Sequence, residues 1–325
     1  MDIIGPIGRD IMASFGPTFQ AYGDMLRQPK NVSKIQAAKR ETFSYGSHER
    51  QRLELDLYTP SDLAPKPASN KSRPILIFAS GGAFISGGKI LEAIPDDLVY
   101  KNLGYFFAEE LGFDTVVMDY RLLGHGAKFP SGGEDVDGVM DWVESRFGSG
   151  LNSVVKPRNI FLLGNSAGAV HVSTWLFCTQ FSAKRETFVS GEHGVKLTGV
   201  VLLGCPFRLD FNGGMKDMLR LYFGGEKETK DSEPTALMER ATRSKPGVGQ
   251  AWPQLLVTVS ELDPQEISEA GKEFAKSWHD KGGMGAFMEF MGHNHLSPPL
   301  SLGTGVEREE AWGFEVGTWM LEAMR

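Results

Sequence analysis

The stretch 159–170 places a serine where it could act as a nucleophile. Residues 159–163 are typical of a buried strand, Gly-x-Ser-x-Gly follows at 164–168, and a helix-forming sequence comes next. A strand that turns at once into a helix makes a sharp bend, which lifts the side chain at its apex above the sheet edge. The helix would also point its first amides at the negative charge that develops in acyl transfer. This context predicts Ser166 as a nucleophile, and a simple turn between two core elements is the alternative.

A nucleophilic serine needs a base within hydrogen-bonding reach, and the base needs an acid to orient it. In a doubly wound sheet these partners lie on loops after later strands, so they should follow Ser166 in the chain. Asp263 begins the loop after the predicted strand 255–260, immediately before a proline. We therefore predict Asp263 as the acid. Glu261 and Asp210 are the alternative carboxylates, and a turn or helix-cap role is the alternative use of Asp263.

Two histidines compete for the role of base. His293 and His295 both follow a further predicted strand at 286–290. We favour His295, because the residues after it resemble the start of the last helical region, and His293 remains the alternative. The pair could also suggest a metal site, but no third ligand with zinc-like spacing accompanies it, so we expect no metal. The order of acting groups is then Ser166, Asp263, His295.

A glycine loop, residues 80–84 (Ser-Gly-Gly-Ala-Phe), follows the predicted buried strand 75–79. An oxyanion hole needs backbone amides that no side chain obstructs, and this loop supplies them, together with the amide of Ala167. A phosphate-binding loop is the alternative. A Walker pattern ending at Lys89 would need glycine at 83 and serine or threonine at 90, where the chain has alanine and isoleucine. We therefore expect no nucleotide and no other cofactor.

Composition excludes several classes of partner. The 325-residue chain has a formal net charge of −7 and no Lys/Arg-rich run, so nothing favours nucleic acid or an anionic membrane. Cys178 and Cys205 lie in apolar surroundings, which favours free thiols in a reducing compartment. No secretory signal and no apolar run of membrane-spanning length is evident. These features predict a soluble, cytoplasmic monomer or homodimer that acts on a small molecule.

Strand-like and helix-like segments alternate along the chain, which predicts a single α/β domain with a mostly parallel sheet covered on both faces. The apolar–polar alternation at Leu53, Leu55 and Leu57 predicts a half-exposed strand. The other main predicted elements are buried strands at 75–79, 115–120, 159–163, 199–204, 255–260 and 286–290, and helices at 97–111 and 134–147.

Two segments depart from this alternation. In the N-terminal arm, residues 1–45, apolar residues recur at helical spacing but are interrupted by Gly-Pro pairs at 5–6 and 16–17. Packing on the domain, a lid over a pocket, and a dimer or membrane contact are its possible uses. The insertion, residues 206–253, is rich in charge and glycine and contains one predicted helix at 234–242. We expect the arm and the insertion to form a cap above the sheet edge.

Taken together, these residues resemble the α/β-hydrolase superfamily, most closely its hormone-sensitive-lipase and carboxylesterase-type branch, kynurenine-formamidase-like members included. The matching motifs run from about residue 53 to 321: the glycine loop, 119–122, 129–130, 134–135, 141–143, 157–160, the serine elbow, the Asp-Pro turn and the Asn-His loop. The resemblance implies an eight-stranded, mainly parallel sheet with a cap and cofactor-free hydrolysis of esters. It implies a triad of Ser166, His295 and Asp263 and oxyanion amides at Gly82, Ala83 and Ala167.

The sequence departs from this family at two positions. Ser80 stands where the family usually has histidine, and Asn165 stands where it often has an acid. The first change leaves the anchoring of the glycine loop, and with it the usual preference for esters, open. We expect a hydrolase of small to medium apolar esters, with amides or lactones as alternatives. A non-hydrolytic relative is the second hypothesis: a ligand-binding protein, or an enzyme of elimination, cyclisation or acyl transfer in natural-product assembly.

Overall fold

The computed structural model describes residues 5–48, 53–66, 72–148, 156–243 and 252–325. Within these ranges, eight strands form one sheet in the order β1-β2-β4-β3-β5-β6-β7-β8. The strands are β1 Arg40–Ser44, β2 Glu54–Tyr58, β3 Ile75–Ala79, β4 Asp114–Met118, β5 Arg158–Asn165, β6 Val195–Leu203, β7 Gln254–Leu262 and β8 Gly285–Asn294. β2 is antiparallel to β1 and to β4, and all other neighbours are parallel. The predicted mostly parallel eight-stranded sheet is confirmed.

Helices cover both faces of this sheet. They are α1 Ile11–Leu26, α2 Pro29–Ala37, α3 Lys101–Tyr105, α4 Ser131–Phe147, α5 Ala167–Phe177, α6 Ser182–Ser190, α7 Lys216–Phe223, α8 Glu226–Ser232, α9 Pro234–Arg243, α10 Gln265–Asp280, α11 Ser297–Ser301 and α12 Glu307–Ala323. A π-helical turn, Phe106–Glu110, continues α3. None of the helices in the described part of the chain is long and apolar enough to cross a membrane.

The central strand β3 shows why an uninterrupted apolar sequence suits this architecture. All five of its residues are buried. Ile75 and Ile77 belong to the core on the face covered by α4 and α5, whereas Leu76 and Phe78 belong to the core on the face that packs against α12. Successive side chains of a strand point to opposite faces, so a strand covered on both sides must be apolar throughout.

The prediction of a half-exposed strand near Leu55 was wrong. β2 lies between two other strands, and its acidic position Asp56 is fully buried. Lys89 Nζ lies 3.0 Å from Asp56 Oδ1, and the guanidinium of Arg40 lies 3.4 Å from Oδ2. These cations come from distant segments, so the local alternation gave no sign that the carboxylate is buried. Arg40 belongs to β1, a strand that the sequence did not indicate.

The N-terminal arm differs from its prediction in two respects. α1 continues through Gly16 and Pro17 instead of breaking there, because a proline in a helix removes one hydrogen bond while tertiary packing supplies most helical stability. Residues Arg40–Ser44, near the end of the arm, form β1 and belong to the sheet. The described residues before β1, which include helices α1 and α2, remain available for the predicted cap.

The described residues of the insertion, 206–243 and 252–253, contain three helices, where the sequence predicted one. α7 and α8 precede α9, which matches the predicted helix closely. α8 is mostly charged and buries only Thr229, so it lacked the apolar periodicity that identifies a helix in sequence. Residues 244–251 of the insertion lie outside the described part of the chain. Limits of other elements also differ from their predictions: α3 begins at Lys101 rather than 97, β4 ends at Met118 rather than 120, and β8 extends to Asn294 rather than 290.

Candidate active site

Ser166 occupies the sharp turn between β5 and α5, with φ 51° and ψ −117°. Such a positive φ is costly for a residue with a side chain and recurs at functional sites. The flanking glycines make the turn possible. A Cβ on Gly164 would lie 2.5 Å from Ala169 Cα, and one on Gly168 would lie 2.2 Å from the carbonyl oxygen of Ala79. The Ser166 amide donates to the Leu203 carbonyl at 2.8 Å, which fixes the turn against β6.

The side chains of Ser166, His295 and Asp263 form one hydrogen-bonded chain. His295 Nε2 lies 2.9 Å from Ser166 Oγ, and His295 Nδ1 lies 2.6 Å from Asp263 Oδ1. The second oxygen of the fully buried Asp263 accepts the Ser260 amide at 2.7 Å. A carboxylate can only accept, so Nδ1 carries the proton and the Nε2 lone pair faces the serine hydroxyl. This arrangement can remove a proton from Ser166.

The alternative carboxylates are engaged elsewhere. Glu261 accepts the Gly292 amide at 2.6 Å, and Asp210 accepts the Asn212 amide at 2.9 Å. Neither carboxylate has a hydrogen bond to His295. Among the candidate acids named from the sequence, the structure brings only Asp263 to the imidazole.

His293 belongs to β8 and does not reach Ser166 by a hydrogen bond. Its Nδ1 lies 2.9 Å from Ser297 Oγ, and the residue is buried. Burial lowers the pKa of His293 to about 4, although the carboxylate of Glu309 opposes that shift. His293 is therefore a neutral, buried ring behind the loop that carries His295. The described residues also contain no group of three His, Cys, Asp or Glu side chains arranged to hold a metal ion.

The glycine loop lies directly against Ser166. A Cβ on Gly81 would lie 3.2 Å from Ser166 Cβ. Gly82 and Ala83 both have positive φ, 143° and 51°. Within the described ranges, the amides of Gly82, Ala83 and Ala167 donate no hydrogen bond to the protein. Amides that are held in place but unused are what an oxyanion hole requires.

Ser80 anchors the glycine loop. Its buried hydroxyl oxygen accepts the Gly88 amide at 2.8 Å, which ties the two ends of the segment together. The Tyr120 hydroxyl donates to the Ser80 carbonyl at 2.8 Å from the neighbouring strand end. Asn165 is likewise buried beside the loop. A neutral amide at this position avoids the cost of an unpaired buried carboxylate.

An aromatic cluster connects the glycine loop to the insertion. The rings of Phe84 and Tyr222 stack with centroids 4.5 Å apart. His171, on the helix after the nucleophile, packs edge-on against Phe84 at 5.4 Å, and its Nδ1 lies 3.4 Å from the Tyr222 hydroxyl. Burial lowers the pKa of His171 to about 3, so the ring is neutral. α7 of the insertion therefore covers the outer side of the loop.

Two residues that bond to the loops of Asp263 and His295 could not be identified from the sequence. Arg9 Nη1 donates to the Asp263 carbonyl at 2.5 Å, and Thr18 Oγ1 accepts the side-chain amide of Asn294 at 2.8 Å. Both lie in the N-terminal arm, more than 250 positions from their partners. Contacts of that separation follow from the tertiary fold, and no local motif marks them.

Comparison with known proteins identifies the class. The chain has the α/β-hydrolase fold: an esterase from Pyrobaculum calidifontis aligns over 94% of this chain and 92% of its own, with a TM-score of 0.61 and 18% identity. An esterase from Rhizomucor miehei aligns over 94% of this chain and 89% of its own, with a TM-score of 0.62 and 15% identity. A sequence profile of the BD-FAE family matches residues 55–261, well over half of the chain. The protein belongs to the BD-FAE family and has the α/β-hydrolase fold.

A curated relative shares sequence over a shorter region. It is described as a probable isoprenylcysteine alpha-carbonyl methylesterase ICMEL2 of Arabidopsis thaliana, and it is 32% identical over 139 residues. The alignment covers 42% of this chain and 27% of the relative, so the chain spans about a quarter of that protein's length.

Proposed function

We propose that this protein is a serine esterase in which Ser166 is the nucleophile, His295 the base and Asp263 the group that orients the base. The observation that carries the proposal is the continuous hydrogen-bonded chain from Ser166 Oγ through the imidazole to a fully buried carboxylate. The strained turn that presents the serine is a second, independent support.

The first half of the reaction forms an acyl-enzyme. His295 Nε2 takes the proton of the Ser166 hydroxyl as its oxygen attacks the ester carbonyl. The carbonyl oxygen becomes negatively charged and receives hydrogen bonds from the amides of Gly82, Ala83 and Ala167. The tetrahedral intermediate collapses, the bond to the alkoxy oxygen breaks, and the imidazolium returns its proton to the departing alcohol.

The second half repeats these steps with water. The neutral imidazole of His295 removes a proton from water, whose oxygen attacks the acyl carbon bound to Ser166. Collapse of the second intermediate breaks the bond to the serine oxygen, which recovers a proton from the imidazolium. The products are a carboxylic acid and the alcohol, and the protein is regenerated without a metal or redox cofactor in any step.

The proposed substrate is an ester with an apolar part of small to medium size. Large apolar side chains are exposed beside the glycine loop, at Ile85, and on the segments that precede and form α7, at Met215 and Leu221. Since α7 packs on the glycine loop through Tyr222, these exposed side chains favour an apolar substrate. Because the Arabidopsis relative is described as a probable methylesterase, methyl esters of apolar acids are a sensible second set of test compounds.

The direct test is hydrolysis of p-nitrophenyl esters from acetate to laurate, with an apolar methyl ester beside them. We expect turnover by the wild-type protein, with chelators having no effect, and loss of turnover in Ser166→Ala. If the wild-type protein neither turns over these esters nor reacts with a fluorophosphonate, the non-hydrolytic hypothesis is favoured instead. Ser80 was one motive for that hypothesis, beside the long arm and insertion that contain Met and Phe, and the bond from Gly88 to Ser80 offers an anchor for the loop.

A further inference from the structure

We propose that the N-terminal arm positions both the acid and the base, through Arg9 and Thr18, and is thus part of the reaction centre rather than only its cover. The inference rests on the proposed function, because it assigns supporting roles around the same triad. Each contact joins the arm to a loop that carries one triad member. Neither Arg9 nor Thr18 is itself placed to contact a reacting atom.

The first contact fixes the loop of the base. Asn294 immediately precedes His295, and its Oδ1 accepts the amides of Leu296 at 3.0 Å and Ser297 at 2.9 Å. Its Nδ2 donates to Thr18 Oγ1 at 2.8 Å, and both Asn294 and Thr18 are buried. A buried amide whose two ends are both bonded has one orientation. Thr18 therefore determines how the residue next to the base is held.

The second contact fixes the loop of the acid. Arg9 Nη1 donates to the carbonyl oxygen of Asp263, while the amide of Asp263 donates to the Ser260 carbonyl at 3.0 Å. The backbone of Asp263 is thus held on both sides of its α-carbon. Arg9 is held in turn because Asp10 caps α1, its carboxylate accepting the Ala13 amide at 3.0 Å. One short segment of the arm therefore reaches both loops.

Other contacts attach the arm to the domain at a distance from the triad. The Tyr22 hydroxyl donates to Glu309 Oε2 at 2.7 Å, and Asn31 Nδ2 donates to the Thr304 carbonyl at 2.8 Å. Asn31 is buried like Thr18, but it contacts neither triad loop. The arm is attached to the domain by one set of residues and bonds to the loops of His295 and Asp263 through another. Single substitutions can therefore test the two roles separately.

The mechanism predicts which kinetic constant should change. A misplaced imidazole or carboxylate lowers the rate of proton transfer, and small displacements of catalytic groups have large effects on rate. Thr18 and Asn294 contact each other in the protein interior and not the substrate, so KM should be nearly unchanged. The rate at which a fluorophosphonate labels Ser166 should fall as well, since labelling needs the same base.

The experiment compares Thr18→Val, Thr18→Ser and Asn31→Ala in the full-length protein, with p-nitrophenyl butyrate as substrate. Thr18→Val keeps the shape and removes the acceptor, so we expect kcat and the labelling rate to fall by about tenfold or more with KM within about twofold. Thr18→Ser restores the acceptor and should recover most of kcat. Asn31→Ala should lower the urea midpoint and leave kcat at the wild-type level.

A second pair of variants tests the contact between Arg9 and the loop of Asp263. Arg9→Ala should lower kcat, whereas Arg27→Ala, a matched exposed arginine that bonds Gly23 and Asp24 within α1, should not. Arg9 is exposed, so this variant should fold even if Thr18→Val does not. A kcat equal to that of the wild type in both Thr18→Val and Arg9→Ala would overturn the inference. A loss of kcat in Asn31→Ala as large as the loss in Thr18→Val would overturn it as well. A wild-type protein with neither turnover nor labelling would instead overturn the proposed function.

Discussion

Nδ1 of His295 lies 2.6 Å from Oδ1 of Asp263, in a site where the carboxylate has no solvent exposure. The ring cannot rotate without breaking this bond, and the bond fixes the tautomer that leaves Nε2 free to accept a proton. In the proposed reaction, the carboxylate would also compensate the positive charge that the imidazole acquires. The orientation and the protonation of the ring thus follow from a single buried contact.

Separate replacement of His293 and His295 should lower kcat to very different extents. We expect His295→Ala to lower kcat by about 10³-fold or more, by analogy with removal of a triad member. His293→Ala should cost clearly less, because the His293 ring bonds Ser297 instead of the nucleophile. Steady-state kinetics on one p-nitrophenyl ester would decide this. An inactive His293→Ala beside an active His295→Ala would move the base to His293.

Ser80→Ala tests the anchor of the glycine loop. The variant leaves the buried amide of Gly88 without its acceptor, which we expect to cost about 1–3 kcal/mol of stability and to lower kcat about tenfold as the loop loosens. Ser301→Ala is the matched control, because its buried hydroxyl accepts the Trp312 indole N–H at 2.9 Å away from the site. That control should lose stability and keep kcat. Full kcat in Ser80→Ala would show that the loop does not depend on this bond.

Gly168→Ala should damage the serine turn. Its Cβ would lie 2.2 Å from the Ala79 carbonyl oxygen, a backbone atom that can move only with β3. We expect at least about 2 kcal/mol of lost stability and a large loss of kcat from the displaced turn. Gly214→Ala, where no atom lies within 4 Å of the added carbon, should be close to wild type. Chemical unfolding and ester assays of both variants would check this, and an active, stable Gly168→Ala would contradict the turn geometry.

The buried His293 should make stability depend on pH. Its pKa is lowered from 6.5 to about 4 in the folded protein, so the unfolded chain binds more protons between these two values. Unfolding is therefore favoured as pH falls from about 6.5 to 4, by an amount on the order of 3 kcal/mol from this residue. His293→Asn should flatten that dependence, while His279→Asn, at an exposed position, should not. Urea midpoints at several pH values would measure it, and parallel curves for wild type and His293→Asn would contradict it.

The elements that could be predicted from the sequence are those with a clear apolar pattern. The apolar run 75–79 matched β3 residue for residue, because a strand buried on both faces has no polar positions to confuse its limits. β1 was missed, since none of its five residues is buried, only Phe43 is apolar, and the strand is held by pairing with β2. α8 was missed for a related reason: it buries one threonine and is otherwise solvated.

Some residues of the candidate site could likewise be predicted from local sequence patterns, and others could not. The serine turn, the acid after β7 and the glycine loop were predicted because each is a local pattern at a strand end. The sequence favoured His295 over His293, but the structure was needed to show which ring faces Ser166, since a separation of two residues does not reveal the direction of either ring. Arg9 and Thr18 could not be predicted, because nothing near them in sequence reports on Asp263 or Asn294.

The most direct test of the central claim is intact-protein mass spectrometry after reaction with a fluorophosphonate, followed by peptide mapping. We predict a single covalent adduct on Ser166, formed by the wild-type protein, absent from Ser166→Ala and formed much more slowly by His295→Ala. A folded wild-type protein that forms no adduct, or forms it on another residue, would contradict the assignment of Ser166 as the nucleophile.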